Sequence, residues 1–228
     1  NKKTSMSEIL KKRLLIVDAS SFLYRAFHAM PDLRSGNGHP TGAIYGIINM
    51  LQKVRKDWPS QIGACIFDPK GPTFRDEIYP AYKATRSSMP SDLKLQVIPI
   101  FDVVKALGWP LIQLDGFEAD DVIGTIVSKA EKQDYESIII SGDKDLTQLV
   151  NKQVTLVDTM SRHGGKGKIF DINEVINKFG VHPNKIIDYL TLVGDQSDNI
   201  PGVKKVGAKT AIRLIKEFGS LEKILDSI

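Results

Sequence analysis

The sequence predicts an α/β fold, a mostly parallel central sheet flanked by helices and closed by a C-terminal helical region. Apolar runs recur along most of the chain, and each leads to a small or acidic residue. Segments of helical period separate them, and after about Asn173 only short helical periods broken by Gly and Pro remain. Strands alternating with helices pair in parallel, and near-continuous apolar runs mark strands buried on both faces.

RLLIVD, ending at Asp18, reads as the first strand, followed by the helix SSFLYRAFHAM and the longer helix AIYGIINMLQKVRKDW. IGACIFD, ending at Asp68, is the second strand. The stretch from Asp68 to Ser91, DPKGPTFRDEIYPAYKATRSSMPS, then breaks the alternation with prolines, cations and aromatics and no apolar period. A connection this long inside a compact domain is functional or disordered. Interleaving of Phe74, Tyr79 and Tyr82 with Arg75, Lys83 and Arg86 favours function, because aromatic faces stack on bases and cations meet phosphates. SDLKLQVIPIFDVVKAL is helical, PLIQLDG is the third strand, and EADDVIGTIVSKAEK is a helix with an acidic head. ESIIISGDKD carries the fourth strand to Asp143 and Asp145, and VTLVD is the fifth. The loop TMSRHGGKGK, around Lys166, reads as a flexible turn, since its glycines precede a strand-like IF and not a helix. INEVINKFG, PNKIIDYLTLVG and VGAKTAIRLIKEFG complete the chain as helices. The expected division is therefore residues 1–172 for the α/β core, with the irregular stretch 69–91 inside it, and 173–228 for the helical region.

At 228 residues and 42% hydrophobic content the chain can fill a real core. Its one cysteine, Cys65, excludes an internal disulfide and reads as a small buried side chain within IGACIF. No apolar run reaches the ~20 residues of a membrane span, and NKKTSMSEILKKR lacks the apolar stretch of a secretory signal. A reducing, cytoplasmic setting without membrane attachment is expected. The net charge of +4 suggests an anionic partner only through its distribution.

In open parallel sheets, sites form at the carboxyl ends of the strands, where Asp18, Asp68, Asp143 and Asp145 all fall. GFEADD adds Glu118, Asp120 and Asp121 at a helix head, and GDQSDN adds Asp195 and Asp198. Each motif alone could be a helix cap or turn. Together they are a different matter, because two carboxylates about 4 Å apart repel by ~4 kcal/mol at an effective dielectric near 20. Such a cluster needs cations or proton uptake. Oxygen-only ligands suit Mg²⁺ or Mn²⁺, and His28, His39, His163 and His182 show no metal-ligand spacing. Setting these acids aside leaves a strongly basic remainder around an acidic pocket, as an enzyme that holds and hydrolyses a polyanion requires.

PGVKKVGAKTA, residues 201–211, is nearly a P-loop. Ala208 separates Gly207 from Lys209, however, and the preceding GDQSDNIP reads as loop, so a nucleotide site is disfavoured. A helix-hairpin-helix fits better, with IIDYLTLVG and AKTAIRLIKEFG as its helices and Gly202 and Gly207 in the turn, where backbone amides can approach a phosphate.

LLIVDAS, FDPKGPTFRDEIYPAYKATR, GFEADDVIGT, SGDKDLTQLV and GDQSDNIPGVKKVGAKTA, in this order, resemble the 5′-nuclease (5′-3′ exonuclease) domains of the bacterial DNA polymerases I, within the flap endonuclease family. The resemblance runs from about Arg13 to the last residue and implies a PIN/5′-nuclease-like core. It implies hydrolysis of DNA phosphodiesters at 5′ flaps and ends by two or three metal ions, in primer removal and repair, with RNA primers on DNA among the substrates. Asp68, Glu118, Asp120 and also Asp121 would form the first metal site, with Asp18 in its outer shell. Asp143 would lie between the sites, and Asp145, Asp195 and Asp198 would hold a second, looser ion. Residues 69–91 would form a mobile helical arch from which Lys83 and Arg86 reach the scissile phosphate while Tyr82 stacks on a base, with Arg25 as a further phosphate contact. Gly202, Lys204, Lys205, Gly207, Lys209 and Thr210 would grip the duplex, with a K⁺ near the turn. Ser87 and Ser88 stand where relatives often carry prolines. The family's nuclease domain continues past residue 228, so a monomeric fragment of a longer chain with polymerase domains is expected. Two further readings use the same acids: a PIN-type ribonuclease, and a catalytically silent DNA-junction binder. A dehalogenase-type phosphatase is poor, since Ser20 stands where its second Asp is required.

Overall fold

The computed structural model describes residues 12–159 and 166–228. All but the last two residues of the N-terminal stretch read for a secretory signal, together with His163 and the glycines of the HGGKGK loop before Lys166, lie outside the described residues.

Six strands form one sheet: β1 (Arg13–Asp18), β2 (Ile62–Phe67), β3 (Leu111–Gln113), β4 (Glu136–Ile140), β5 (Val154–Asp158) and β6 (Lys168–Phe170). Their order is β3-β2-β1-β4-β5-β6, all parallel except β6. The chain winds outward from β1 to β3, then returns to β4 on the other side of β1. The β1/β4 boundary is thus the switch point at which crevices open beyond the strand ends.

Side chains alternate between sheet faces, so each strand feeds two cores. Leu15 and Val17 of β1 join Cys65, Phe67 and Ile140 beneath α1 (Ala19–Ala29), α2 (Gly42–Asp57) and α4 (Ser91–Ala106). Leu14 and Ile16 face the other way, with Ile66 and Ile139, under α5 (Ala119–Glu131). The same second core continues into α6 (Ile172–Phe179), α7 (Ile186–Val193) and α8 (Ala208–Phe218) through Val175, Ile186, Leu192, Ala211 and Ile215. Helix α9 (Leu221–Asp226) adds Ile224 to it. Cys65 is fully buried, and burial pushes its thiol up to about 12.

Two elements depart from the sequence reading. GDQSDNIP, expected as loop, forms a small antiparallel ribbon of β7 (Gly194–Asp195) and β8 (Ile200–Pro201). The Asp195 carboxylate closes the turn between them by accepting from the Ser197 amide at 2.9 Å, and Asn199 takes a left-handed φ of 57°. Within 69–91, α3 (Phe74–Ile78) forms because Asp76 accepts from the Thr73 amide at 2.7 Å, capping the first turn. Sequence patterning also missed the cap of α2. Buried Gln96, on α4, accepts from the Ala43 and Ile44 amides at 2.9 and 3.2 Å.

Candidate metal centre

The parallel register aligns the strand ends. Asp18 pairs with Ile66 across β1/β2 and Val17 with Ile140 across β1/β4, so Asp18, Asp68 and the Ser141–Asp145 turn share one edge of the sheet. Asp18 caps α1, accepting from the Ser21 amide at 3.1 Å, and takes the Ser141 hydroxyl at 2.6 Å on its other oxygen. Both oxygens are therefore held. Burial raises its pKa above the carboxylate range against the lowering effect of those two bonds. Ser141 Oγ also accepts from the Asp143 amide at 3.0 Å, and Asp143 accepts from the Asp145 amide at 2.9 Å. One hydrogen-bonded chain thus fixes the turn after β4.

Asp68 is exposed, with one oxygen accepting from the Ala119 amide at 2.8 Å at the start of α5. Asp120 stands in the first turn of that helix. Burial, reinforced by repulsion from Asp143, Asp18 and Asp68, lifts its pKa to about 8. Asp121 behaves oppositely: Arg75 grips both its oxygens at 2.6 and 2.8 Å and holds it below the usual range. Asp121 also accepts from the Glu118 amide at 3.0 Å, so both its oxygens are occupied by protein donors, and the Arg75 nitrogen that holds it lies 3.9 Å from the Glu118 carboxylate.

Asp145, Asp195 and Asp198 each place a carboxylate oxygen within 4.8 Å of the others. Among the described residues no other trio of acids, His or Cys converges so closely. Asp68 and Glu118, by contrast, accept from protein donors, the Ala119 amide and the Lys83 ammonium. Burial, then repulsion from Asp143 and Asp195, raises Asp145 to about 6, and its buried Oδ1 has no hydrogen-bond partner. Burial pushes Asp195 up, but Ser197 and the Lys144 ammonium, 3.1 Å away, outweigh it and hold Asp195 low. Hard carboxylate oxygens with an orphaned buried acceptor suit Mg²⁺ or Mn²⁺, so the donor set fits the expected ions.

The segment after β2 closes over this edge. Lys83 Nζ donates to Glu118 at 2.7 Å, and Arg86 donates to Asp198 at 2.5 Å. The Tyr82 hydroxyl lies 2.9 Å from Glu118 and 3.0 Å from Asp198. A phenol has one proton, so it donates to one carboxylate at a time. Burial and these two acids hold its pKa far above the ordinary tyrosine value. Tyr82 is therefore a buried bridge between the two carboxylates in this state. The Lys83 amide bonding Asp198 O at 2.9 Å and the Asn199 amide group bonding Ala81 O at 2.7 Å tie the segment to the β7–β8 turn.

Arg25 reaches the Thr159 hydroxyl at 3.4 Å, across the sheet end. Lys204, Lys205, Gly207 and Lys209 are exposed beside α8, whose N-cap is Gly207 and so has no side chain to cover the first amides. Thr210 is half-buried in the first turn. Gly202 is exposed but has a packing duty: a Cβ there would lie 2.3 Å from the Val193 carbonyl carbon. Sequence reasoning assigned no role to Ser141 or Lys144 and read Arg75 only as a cation that meets phosphate, yet all three hold site acids. The Arg75 signal, a cation in an aromatic-rich stretch, was visible, but its pairing with Asp121 needs the fold. A groove of about 900 Å³ runs from Asp120, Asp145 and Asp198 along α5 to Lys129 and Lys132.

Residues 13–180 match the family model of the 5′-3′ exonuclease N-terminal, resolvase-like domain, and residues 181–228 that of the 5′-3′ exonuclease C-terminal SAM fold. DNA polymerase I of Pseudomonas aeruginosa is 50% identical over 93% of this chain, which spans 23% of that protein. A 5′-3′ exonuclease of Aquifex aeolicus is 44% identical over 94% of the chain and 72% of its own length. T5 5′-exonuclease with bound zinc ions superposes with a TM-score of 0.76 at 23% identity, covering 95% of this chain and 79% of that one. The catalytic core of Rad2 with DNA substrate gives 0.60 at 20% identity, covering 95% and 65%. These two share the fold. Among the described residues, no helix is long and apolar enough to cross a membrane.

Proposed function

The chain belongs to the 5′-3′ exonuclease family, and from that premise we propose that it is a divalent-metal-dependent nuclease hydrolysing DNA at 5′ flaps and 5′ ends. The observation that carries this reading is the convergence of Asp145, Asp195 and Asp198 beside Asp120, beneath a segment bearing Lys83 and Arg86. Asp68, Glu118 and Asp120 would hold one Mg²⁺ or Mn²⁺, and Asp145, Asp195 and Asp198 a second, with Asp143 between them. Bound there, the ions supply Lewis acidity toward water and a phosphodiester oxygen.

The chain's own residues perform the rest. Asp18 and Ser141 fix the turn that carries Asp143 and Asp145. Lys83 and Arg86 exchange Glu118 and Asp198 for phosphate oxygens, stabilising charge as it develops on the scissile group. Tyr82, released with them, meets the adjacent base. Arg25 adds a phosphate contact. The first amides of α8, with Lys204, Lys205, Lys209 and Thr210, hold the duplex backbone, Gly202 and Gly207 shape the turn, and a K⁺ held near it would supply further positive charge toward the phosphates. The physiological setting follows: a monomeric nuclease region, 1–172 for catalysis and 173–228 for duplex binding, attached to polymerase domains in the cytoplasm.

A substrate panel tests this. A labelled 5′-flap DNA duplex is expected to be cut near the junction, leaving a 5′-phosphate and a 3′-hydroxyl. A 3′-flap duplex of the same sequence is expected to resist. Preferential cleavage of single-stranded RNA would instead indicate a ribonuclease of the same fold.

A further inference from the structure

Arg75 stands at the margin of the acidic edge: its Nη1 is 3.9 Å from the Glu118 carboxylate, but its closer, paired contact is with Asp121. Its guanidinium donates two parallel bonds to Asp121, at 2.6 and 2.8 Å, a geometry a lysine cannot reproduce. The Asp121 oxygen nearer to Arg75 also accepts from the Glu118 amide at 3.0 Å. Glu118 is the N-cap of α5, buried, with its carboxylate turned toward Lys83 and Tyr82. Arg75 itself sits on α3, at the root of the segment that carries those two residues. Its guanidinium also packs over the Phe74 ring, 4.6 Å from the centroid, which limits where it can point.

We propose that Arg75 is a positioning residue: by clamping Asp121 against the Glu118 backbone, it fixes the carboxylate of Glu118 for metal binding and withdraws Asp121 from the ligand set. This rests on the metal-site reading above. It assigns Asp121 to the scaffold, whereas the sequence placed it among the ligands. Partners that orient a ligand typically contribute about 10–100-fold to metal affinity.

The test is Mn²⁺ binding without DNA, followed by the free-ion paramagnetic resonance signal, so that a role of Arg75 in gripping DNA cannot enter. Glu118→Gln first identifies the binding step to which Glu118 contributes. Arg75→Lys keeps the charge but not the fork, and is expected to weaken that step about 10-fold or more. Asp121→Ala should weaken it comparably, and the double variant no further than either single one. An unchanged step in Arg75→Lys, or losses that multiply in the double variant, would overturn the proposal. Arg75 is partly exposed, so Lys there leaves no cavity, and Arg75→Gln gives a second reading of the same clamp. Absence of Mn²⁺ binding by the unaltered chain would overturn the metal-site reading itself.

Discussion

Asp120 sits in the first turn of α5, half-buried beside Asp143, Asp18 and Asp68, and so keeps its proton up to about pH 8 in the metal-free chain. Its folded-state pKa lies above the ordinary 3.8, so the stability it contributes is complete below that value and is lost as pH rises toward about 8. Asp120→Asn cannot ionise. Its melting temperature in chelator, relative to the unaltered chain, is expected to rise between about pH 5 and pH 8.5, by roughly 2–4 °C for each kcal/mol relieved. A difference independent of pH would contradict this. Lys83 and Arg86 meet the same crowding differently, by lending positive charge to Glu118 and Asp198. Lys83→Ala is expected to lower turnover about 100-fold while duplex affinity stays within roughly threefold. Unchanged turnover with intact binding would remove Lys83 from the catalytic set.

The turn between α7 and α8 separates two kinds of glycine. Gly194 has φ 78°, and a Cβ there would come within 2.3 Å of the Gly202 amide, while a Cβ on Gly202 would strike the Val193 carbonyl. Gly207 faces open space at the N-cap of α8. Gly202→Ala is therefore expected to destabilise the chain by about 1–3 kcal/mol in denaturant unfolding, and Gly207→Ala by well under 1 kcal/mol. Equal effects would mean that the close approach has no energetic consequence. The same turn shows what the sequence could convey about elements. RLLIVD, IGACIF and ESIII are long enough and apolar enough to register as strands, and their acidic ends follow directly. The β7–β8 ribbon has two residues per strand, too few for a period, and rests on Asp195 folding back onto Ser197. The acids were legible as a constellation because strand order sends them to one edge. Which of them pair with protein donors was not, since Arg75 and Asp121 lie 46 residues apart and meet only when α3 packs beside α5.

Across the whole molecule, the C-terminal helices and α5 share one hydrophobic core with the sheet, so the region holding Asp195 and Asp198 is fastened to the region holding Asp120 and Asp145. The β7–β8 turn is joined again to the 69–91 segment through Lys83, Arg86 and Asn199. Heat unfolding followed by circular dichroism and by Trp fluorescence is accordingly expected to show one coincident transition, and two separated transitions would contradict the shared core. Under the proposed function, this coupling would hold the duplex-binding turn at a fixed distance from the acidic edge and so set where the strand is cut relative to a junction. The most direct test of metal-dependent nuclease action is a 5′-flap duplex mixed with the chain in Mg²⁺ and in EDTA, with binding and cleavage read from the same samples. Binding in both with cleavage only in Mg²⁺ is the expected result. Binding without cleavage in either would contradict it.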